Sequence, residues 1–190
     1  MGVGLKSAQR IGVPKRRVFV GVRIPPHIGE ELQSIQETIA PFFEGRFTPV
    51  ENLHVTLKFL GEIDERTIEQ VRETLEEATL EHMLARIDGF GSFSNRIIWA
   101  RITGIKHVQR SIDSALSDRF AKERRFMSHA TVARVRRCTN RAGLRAALKA
   151  LHLPLSWQFT HVELIASHLS EDGARYETIA SYPLTNRILV

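Results

Sequence analysis

The sequence contains only one cysteine, Cys138, among its 190 residues. One cysteine cannot form an internal disulfide or a cysteine-based zinc site, so we expect a reducing, cytoplasmic location. No apolar run approaches the roughly 20 residues that a membrane-spanning helix needs. A glycine-rich phosphate-binding loop is also missing, so no nucleoside triphosphate is expected as a cofactor. These absences exclude a disulfide scaffold and a membrane-spanning helix.

The chain has an excess of basic residues, with a net charge of +6 and a pI near 10.0. Clustered Lys and Arg side chains raise the local concentration of phosphates, which favours an anionic partner. Basic segments occur at residues 15–17, 122–125 and 134–137. A charged run is usually just a solvated face, so each segment has this alternative explanation.

The length allows one well-buried globular domain, and 43% hydrophobic with 25% charged residues is typical of a soluble folded protein. Residues 1–16 are basic but lack the apolar core of a secretory signal, so we expect a flexible basic tail. Residues 17–190 are predicted to form a single bilobal domain, with a monomer as the default.

Hydrophobic periodicity predicts two similar halves of strands and helices. In the first half, Asp64 is the expected N-cap of a helix that follows a strand. Since no linker separates the halves, they indicate one bilobal α+β domain rather than a repeat array. The predicted strands are residues 17–23, 53–60, 84–93, 97–102, 129–135, 157–167 and 176–184 with a turn at 171–173, and the helices are 28–42, 65–78, 105–120 and 144–151.

Two matching tetrapeptides stand out: His-Val-Thr-Leu at residues 54–57, the first motif, and His-Ala-Thr-Val at residues 129–132, the second motif. Each lies in a predicted strand, where residues two apart point to the same face, so each offers an imidazole beside a hydroxyl. Around the first motif, strict alternation places Leu53, Val55, Leu57 and Phe59 on one face and His54, Thr56 and Lys58 on the other.

Two such strands can enclose one phosphate group. Hydrolysis of a cyclic phosphodiester needs a base for the attacking water and an acid for the departing ribose oxygen. Imidazoles titrate near pH 6.5, so one neutral and one protonated histidine supply both without a metal. The threonine hydroxyls can donate hydrogen bonds to the non-bridging oxygens. The paired motifs therefore predict a metal-independent phosphodiesterase.

Each motif alone also has a structural explanation, because a half-buried histidine beside a threonine is common on strands. A zinc site is a second alternative, but neither strand adds a further Cys, Asp or His at short spacing. The remaining histidines lack a threonine two places on, and we interpret them as surface or capping residues: His27, His82, His107, His152, His161 and His168.

The HxTx motifs and their surroundings resemble the two-histidine (2H) phosphoesterases, most closely the RNA 2′,3′-cyclic phosphodiesterases, once described as 2′-5′ RNA ligases. The resemblance covers residues 17–184. It rests on RVFV at 17–20, ENLHVTLKFLG at 51–61, Ile98-Trp99, Phe126, HATVARV at 129–135, and Leu169, Gly173 and Tyr176.

The resemblance implies a bilobal α+β fold in which two antiparallel sheets line a central cleft, with helices outside. It implies hydrolysis of 2′,3′-cyclic phosphate ends to 2′-phosphomonoesters, with weak reverse 2′-5′ joining, including on tRNA halves. Hydrolysis of 2′-5′ oligonucleotides, or of an ADP-ribose cyclic phosphate, is an alternative within the same superfamily. A non-catalytic RNA-binding module is the alternative from another class, and the four intact His and Thr positions argue against it.

The resemblance also assigns roles to residues of this chain. It implies His54 as general acid and His129 as general base, with Thr56 and Thr131 holding the phosphate. It places a phosphate-contacting arginine at Arg134. Strict alternation puts Arg134 on the face opposite His129, so it needs a β-bulge, a strand end or a long reach to join the site.

Two aromatic residues, Phe19 and Tyr176, are candidates to stack on a nucleobase. Phe19 fits the hydrophobic core equally well. Where relatives commonly have Pro or Ala before the second histidine, this chain has Ser128, and the segment 120–126 before it is short and strongly basic. These departures leave the substrate preference open.

Overall fold

The computed structural model describes residues 13–170 and 173–185, and within them the chain forms one nine-stranded sheet packed against helices. The strands are β1 Lys15–Arg23, β2 Phe43–Phe47, β3 His54–Asp64, β4 Met83–Phe93, β5 Ile97–Thr103, β6 His129–Cys138, β7 Ser156–Phe159, β8 His161–Ser170 and β9 Gly173–Pro183. The helices are α1 Pro26–Ser34, α2 Gln36–Ile39, α3 Glu65–Glu77, α4 Lys106–Ala115 and α5 Arg141–Ala150, with short 3-10 turns at Ala40–Phe42 and Val50–Asn52.

The sheet consists of two antiparallel lobes in the order β7-β4-β5-β6-β3-β1-β8-β9, with β2 also paired to β6. One lobe contains β3, β1, β8 and β9, and the other contains β6, β5, β4, β7 and β2. They join at the pair Val55–Ala130, between β3 and β6. The predicted α+β class is confirmed, and the two expected sheets are continuous through this narrow junction.

The helices follow the predicted amphipathic pattern. The side chain of Asp64 caps α3 as expected, since Oδ1 accepts a hydrogen bond from the backbone N–H of Thr67 at 2.8 Å. Asn140 caps α5 in the same way through Gly143, also at 2.8 Å. The apolar stripes of the helices and the buried faces of the strands form a single core cluster across both lobes. No helix in the described ranges is long and apolar enough to cross a membrane.

Several predicted boundaries are wrong. The helix predicted at 105–120 ends at Ala115, and the strands predicted at 53–60 and 129–135 continue to Asp64 and Cys138. Strand β1 begins at Lys15, so residues 15 and 16 of the predicted tail belong to the sheet, where Arg16 pairs with Glu177 at 3.0 Å. The predicted helix 28–42 breaks after Ser34, whose hydroxyl bonds to the Glu31 carbonyl. The predicted strand 157–167 divides at Thr160 into β7 and β8, which lie in different lobes. Residues 1–12 of the tail, and residues 171 and 172 of the predicted turn, lie outside the described residues.

Candidate active site

The two motifs lie side by side at the junction of the lobes. Val55 of the first motif is paired with Ala130 of the second, and both side chains are fully buried. Paired residues of an antiparallel ladder point to the same face, and their neighbours point to the opposite one. The His and Thr of both motifs therefore share the face that is turned away from the core.

The two histidines have the same hydrogen bond. His54 Nδ1 lies 2.8 Å from the carbonyl oxygen of Asn52, and His129 Nδ1 lies 2.8 Å from that of Met127. A carbonyl oxygen only accepts, so each Nδ1 carries the proton and donates it. This leaves Nε2 of each ring available to accept or donate a proton in the site.

A β-bulge brings Arg134 to the same face as the second motif. The register of β5 against β6 shifts between the pairs Trp99–Thr131 and Ile98–Ala133, which leaves Val132 as an extra residue. Val132 and Ala133 are both buried, so the alternation inverts after them. Of the three expected ways for Arg134 to join the site, a bulge, a strand end or a long reach, the structure contains the bulge.

A second bulge occupies the equivalent place after the first motif. The register of β1 against β3 shifts around Leu57, and Lys58, only 5% exposed, turns toward the core. The predicted alternation is therefore wrong beyond Leu57. Phe59, expected in the core, is 51% exposed, and the Arg17 guanidinium carbon lies 4.6 Å from the centroid of its ring. Sequence reasoning missed Phe59, although it stands at the same offset from His54 as Arg134 from His129.

An open cavity of about 560 Å³ lies on this face between the lobes. Most of the predicted site residues line it, together with Phe59, Arg17 and the exposed Leu169. His129 is not on its wall, but strand register places it across from Thr56 at the junction. The predicted residues on the wall are Phe19, His54, Thr56, Thr131, Arg134 and Tyr176.

The His54 imidazole is enclosed by aromatic rings. Its ring stacks on Phe19 with centroids 4.9 Å apart, and the Tyr176 ring meets it edge-on at 4.7 Å. Phe19 is only 3% exposed. The structure thus favours the core alternative for Phe19, which supports the histidine and leaves little ring surface for a nucleobase. The ring of Tyr176 is half-buried beside the cavity.

Burial disfavours the charged form of His54 and lowers its pKa, and the positive charges of Arg23 and Arg134 act in the same direction, as does His129 when it is protonated. The hydrogen bond to the Asn52 carbonyl acts in the opposite direction. His54 therefore loses its proton at a lower pH than an ordinary imidazole.

The turn before His54 is held by two further side chains. The Asn52 side-chain amide donates to the Ala174 carbonyl at 3.2 Å, and Arg23 donates to the Glu51 carbonyl at 2.9 Å. Arg23 is itself fixed by a 2.9 Å ion pair with Glu163. These contacts fix the Asn52 carbonyl and with it the orientation of the imidazole.

Clusters of three or more His, Cys, Asp or Glu side chains that could bind a metal are not found among residues 13–170 and 173–185. The cavity residues and the two motifs offer proton transfer at two imidazoles beside hydroxyl and guanidinium donors. This combination suits a substrate with a phosphate group.

Comparison with known proteins identifies relatives along nearly the whole chain. Residues 22–99 match the family model of the LigT-like phosphoesterases. The RNA 2′,3′-cyclic phosphodiesterase of Methanocaldococcus jannaschii is 30% identical over 176 residues, which span 87% of this chain and 99% of that protein. The enzyme of the same name from Methanothermobacter thermautotrophicus is 31% identical, over 90% of this chain and 100% of its own length. A crystal structure of a Thermus thermophilus protein superposes with a TM-score of 0.79 at 24% identity, covering 90% of this chain and 99% of that one.

Proposed function

The chain belongs to the RNA 2′,3′-cyclic phosphodiesterase family, and on this premise we propose that it hydrolyses RNA 2′,3′-cyclic phosphate ends to 2′-phosphomonoesters. We propose His54 and His129 as the paired acid and base. The observation that carries this assignment is their matched geometry, in which each Nδ1 is bound to a backbone carbonyl and each Nε2 is left available on the same sheet face.

In the proposed reaction a water molecule attacks phosphorus while His129 Nε2 accepts its proton. The bond between phosphorus and the 3′ oxygen breaks, and His54 Nε2 donates a proton to that oxygen. The products are a 3′ hydroxyl and a 2′-phosphomonoester. The two histidines exchange protonation states in one turnover, so proton exchange with solvent restores the starting enzyme.

The acid role requires a protonated His54, although burial and nearby cations lower its pKa. An anion bound beside an imidazole stabilises the charged form, so the cyclic phosphate itself favours protonation of His54. Binding and protonation are thus coupled in this proposal, and we expect the pH profiles of kcat and kcat/KM to differ on the limb that His54 controls.

The remaining cavity residues are proposed to hold the substrate. The hydroxyls of Thr56 and Thr131 donate to non-bridging phosphate oxygens, and the guanidinium of Arg134 balances the charge that develops on them. The exposed ring of Phe59, backed by Arg17, offers a stacking surface for the base. Tyr176, which also lines the cavity, is proposed to contact the ribose or the base.

The two imidazoles can account for both proton transfers, and we therefore propose that no metal is required. The test is hydrolysis of a nucleoside 2′,3′-cyclic monophosphate with excess chelator, from about pH 5 to about pH 9, for the wild type, His54→Ala and His129→Ala. A chelator-resistant, bell-shaped profile that yields the 2′-phosphate and is lost in both variants supports the proposal.

The control is an RNA with the same terminal cyclic phosphate, for which a tRNA half is suitable. Adding the other half, which carries a 5′ hydroxyl, also tests the 2′-5′ joining reaction. Loss of activity with chelator and its recovery with a divalent ion would contradict metal independence. Absence of turnover on both substrates would contradict the hydrolase and leave the RNA-binding module as the function.

A further inference from the structure

An exposed loop lies directly before the second motif. This basic loop, residues 121–125, carries Lys122, Arg124 and Arg125. Their side chains have no hydrogen bond or ion pair to another residue in the part of the chain that the structure describes. The carboxylate in the loop, Glu123, accepts from the backbone N–H of Arg125 rather than from a cationic side chain.

The other two basic segments are partly neutralised. Glu44 of β2 forms ion pairs with both Arg136 and Arg137 of β6. In the first segment, Arg16 pairs with Glu177 at 3.0 Å and Arg17 lies over the Phe59 ring. The basic loop therefore differs from them because its positive charges face solvent without a partner.

The backbone of the loop is firmly anchored. Lys58 and Asp113 form a buried ion pair, with side chains 3% and 10% exposed. Lys58 Nζ also donates to the Ala121 carbonyl at 3.0 Å, and the Asp113 carboxylate accepts from the Glu123 N–H at 3.0 Å. A loop held at two points loses less entropy when it binds a partner, which favours a binding role over a merely solvated segment.

The anchored loop leads into the active site. Its last residue, Arg125, precedes His129 by four positions, so their Cα atoms are at most about 14 Å apart. A cavity of about 410 Å³ lies at the base of the loop, between Phe126 and the end of β5. Arg101 and Lys106 line this cavity, and Arg101 is the β5 partner of His129. Positive charge therefore continues from the loop to the second histidine.

We propose that the basic loop binds the backbone phosphates of the RNA nucleotides upstream of the cyclic end, so that the protein prefers an RNA strand to a mononucleotide. This inference rests on the proposed function. Phosphate contacts position a nucleic acid without reading its sequence, and each one adds to the salt dependence of binding. The loop would supply the anchor for the strand while the cavity between the lobes holds its end.

The test compares a nucleoside 2′,3′-cyclic monophosphate with an oligoribonucleotide that ends in the same cyclic nucleotide. The variant is Lys122→Ser/Arg124→Ser/Arg125→Ser. Its matched control removes three exposed cations from α5: Arg141→Ser/Arg145→Ser/Lys149→Ser. The loop variant is expected to raise the KM for the oligonucleotide about tenfold and to flatten the slope of log kcat/KM against log salt by about 1 to 2. Its KM for the mononucleotide should change less than about twofold.

Three results would overturn the proposal. They are an unchanged oligonucleotide KM, an equal loss on both substrates, and an equal loss in the α5 control. If the wild type turns over neither substrate, the proposed function has failed, and the proposal is then decided by fluorescence anisotropy with the same oligonucleotide. Equal affinity of wild type and loop variant in that assay would also overturn it. Matching melting temperatures for both triple variants show that folding is intact.

Discussion

The two motifs have the same local geometry in different surroundings. Each histidine donates Nδ1–H to the carbonyl two residues before it, and each motif ends in a β-bulge. The first histidine is enclosed by Phe19 and Tyr176, whereas the second meets the edge of Phe93, which is 37% exposed. Burial accordingly lowers the pKa of His54.

The short sequence pattern and the surrounding fold determine different properties of each histidine. The pattern places an imidazole and a hydroxyl on one face and fixes the histidine tautomer through a local carbonyl. The burial that lowers the pKa of His54 comes from Phe19 and Tyr176, which are far away in sequence. Near-symmetric motifs can therefore perform opposite steps of one reaction.

The largest expected effect distinguishes the acid from the base. His54→Ala should lower kcat on a 2′,3′-cyclic nucleotide by about 10²- to 10⁴-fold. With sulfur in place of the bridging 3′ oxygen, the loss should shrink to less than about tenfold, because a thiolate leaves without a proton. His129→Ala should lose activity on both substrates, since water still needs a base. Steady-state kinetics on the two substrates measure this.

The opposite result, rescue of His129→Ala by sulfur, would exchange the two assignments. The double variant is the control for a shared mechanism, because residues that act as a unit give losses that do not add. Equal losses for both variants on both substrates would contradict a division into acid and base.

The second effect concerns two ion pairs near the motifs, Lys58–Asp113 and Arg23–Glu163. Lys58→Met leaves the carboxylate of Asp113 buried without its partner and should lower the free energy of unfolding by about 3–5 kcal/mol. Lys58→Met/Asp113→Leu should recover most of this loss, because it removes both charges. Urea unfolding measures both variants.

The half-exposed pair near the first motif provides the comparison. Side chains of Arg23 and Glu163 are 31% and 17% exposed, so Glu163→Gln should cost about 1 kcal/mol or less. If Lys58→Met costs no more than Glu163→Gln, the buried pair does not hold the basic loop as described.

The third effect tests the equivalence of the threonines. Thr56→Val and Thr131→Val keep the side-chain shape but remove the hydroxyl, so each should lower kcat by about 10- to 100-fold. Thr74→Val, on α3 and away from the cavity, removes a comparable hydroxyl and should leave kcat unchanged. A loss in only one motif variant would mean that a single strand holds the phosphate.

The sequence predicted most of what local patterns determine. Alternation and the repeated tetrapeptide located both motif strands, and the bulge that the structure contains before Arg134 was one of the three expected alternatives. The cap at Asp64 was also recognisable, because the stabilising contact with Thr67 lies within one helical turn. These features depend on neighbours in the chain.

The missed features depend on distant partners. Phe59 reaches the cavity because Lys58 turns inward to Asp113, and no alternation rule can anticipate a carboxylate on a helix that lies in the other half of the sequence. The predicted strand 157–167 divides at Thr160 because the buried positions change there from odd-numbered to even-numbered residues. Trp157 and Phe159 are buried before Thr160, and Val162 and Leu164 are buried after it. Strand β2 was missed because its sequence, FEGRF, has little alternation.

The smallest effect is the titration of His54, followed by NMR of its Cε1–H group. The pKa should lie below the ordinary value in the free protein, because burial and the cations Arg23 and Arg134 disfavour the charged ring.

Added inorganic phosphate should raise the pKa of His54, because an anion in the cavity favours the charged form. Because the folded-state pKa of His54 is depressed, its contribution to stability is present above the unfolded value of about 6.5 and is lost as the pH falls. A phosphate-independent titration would place the phosphate away from His54 and contradict its role as the acid.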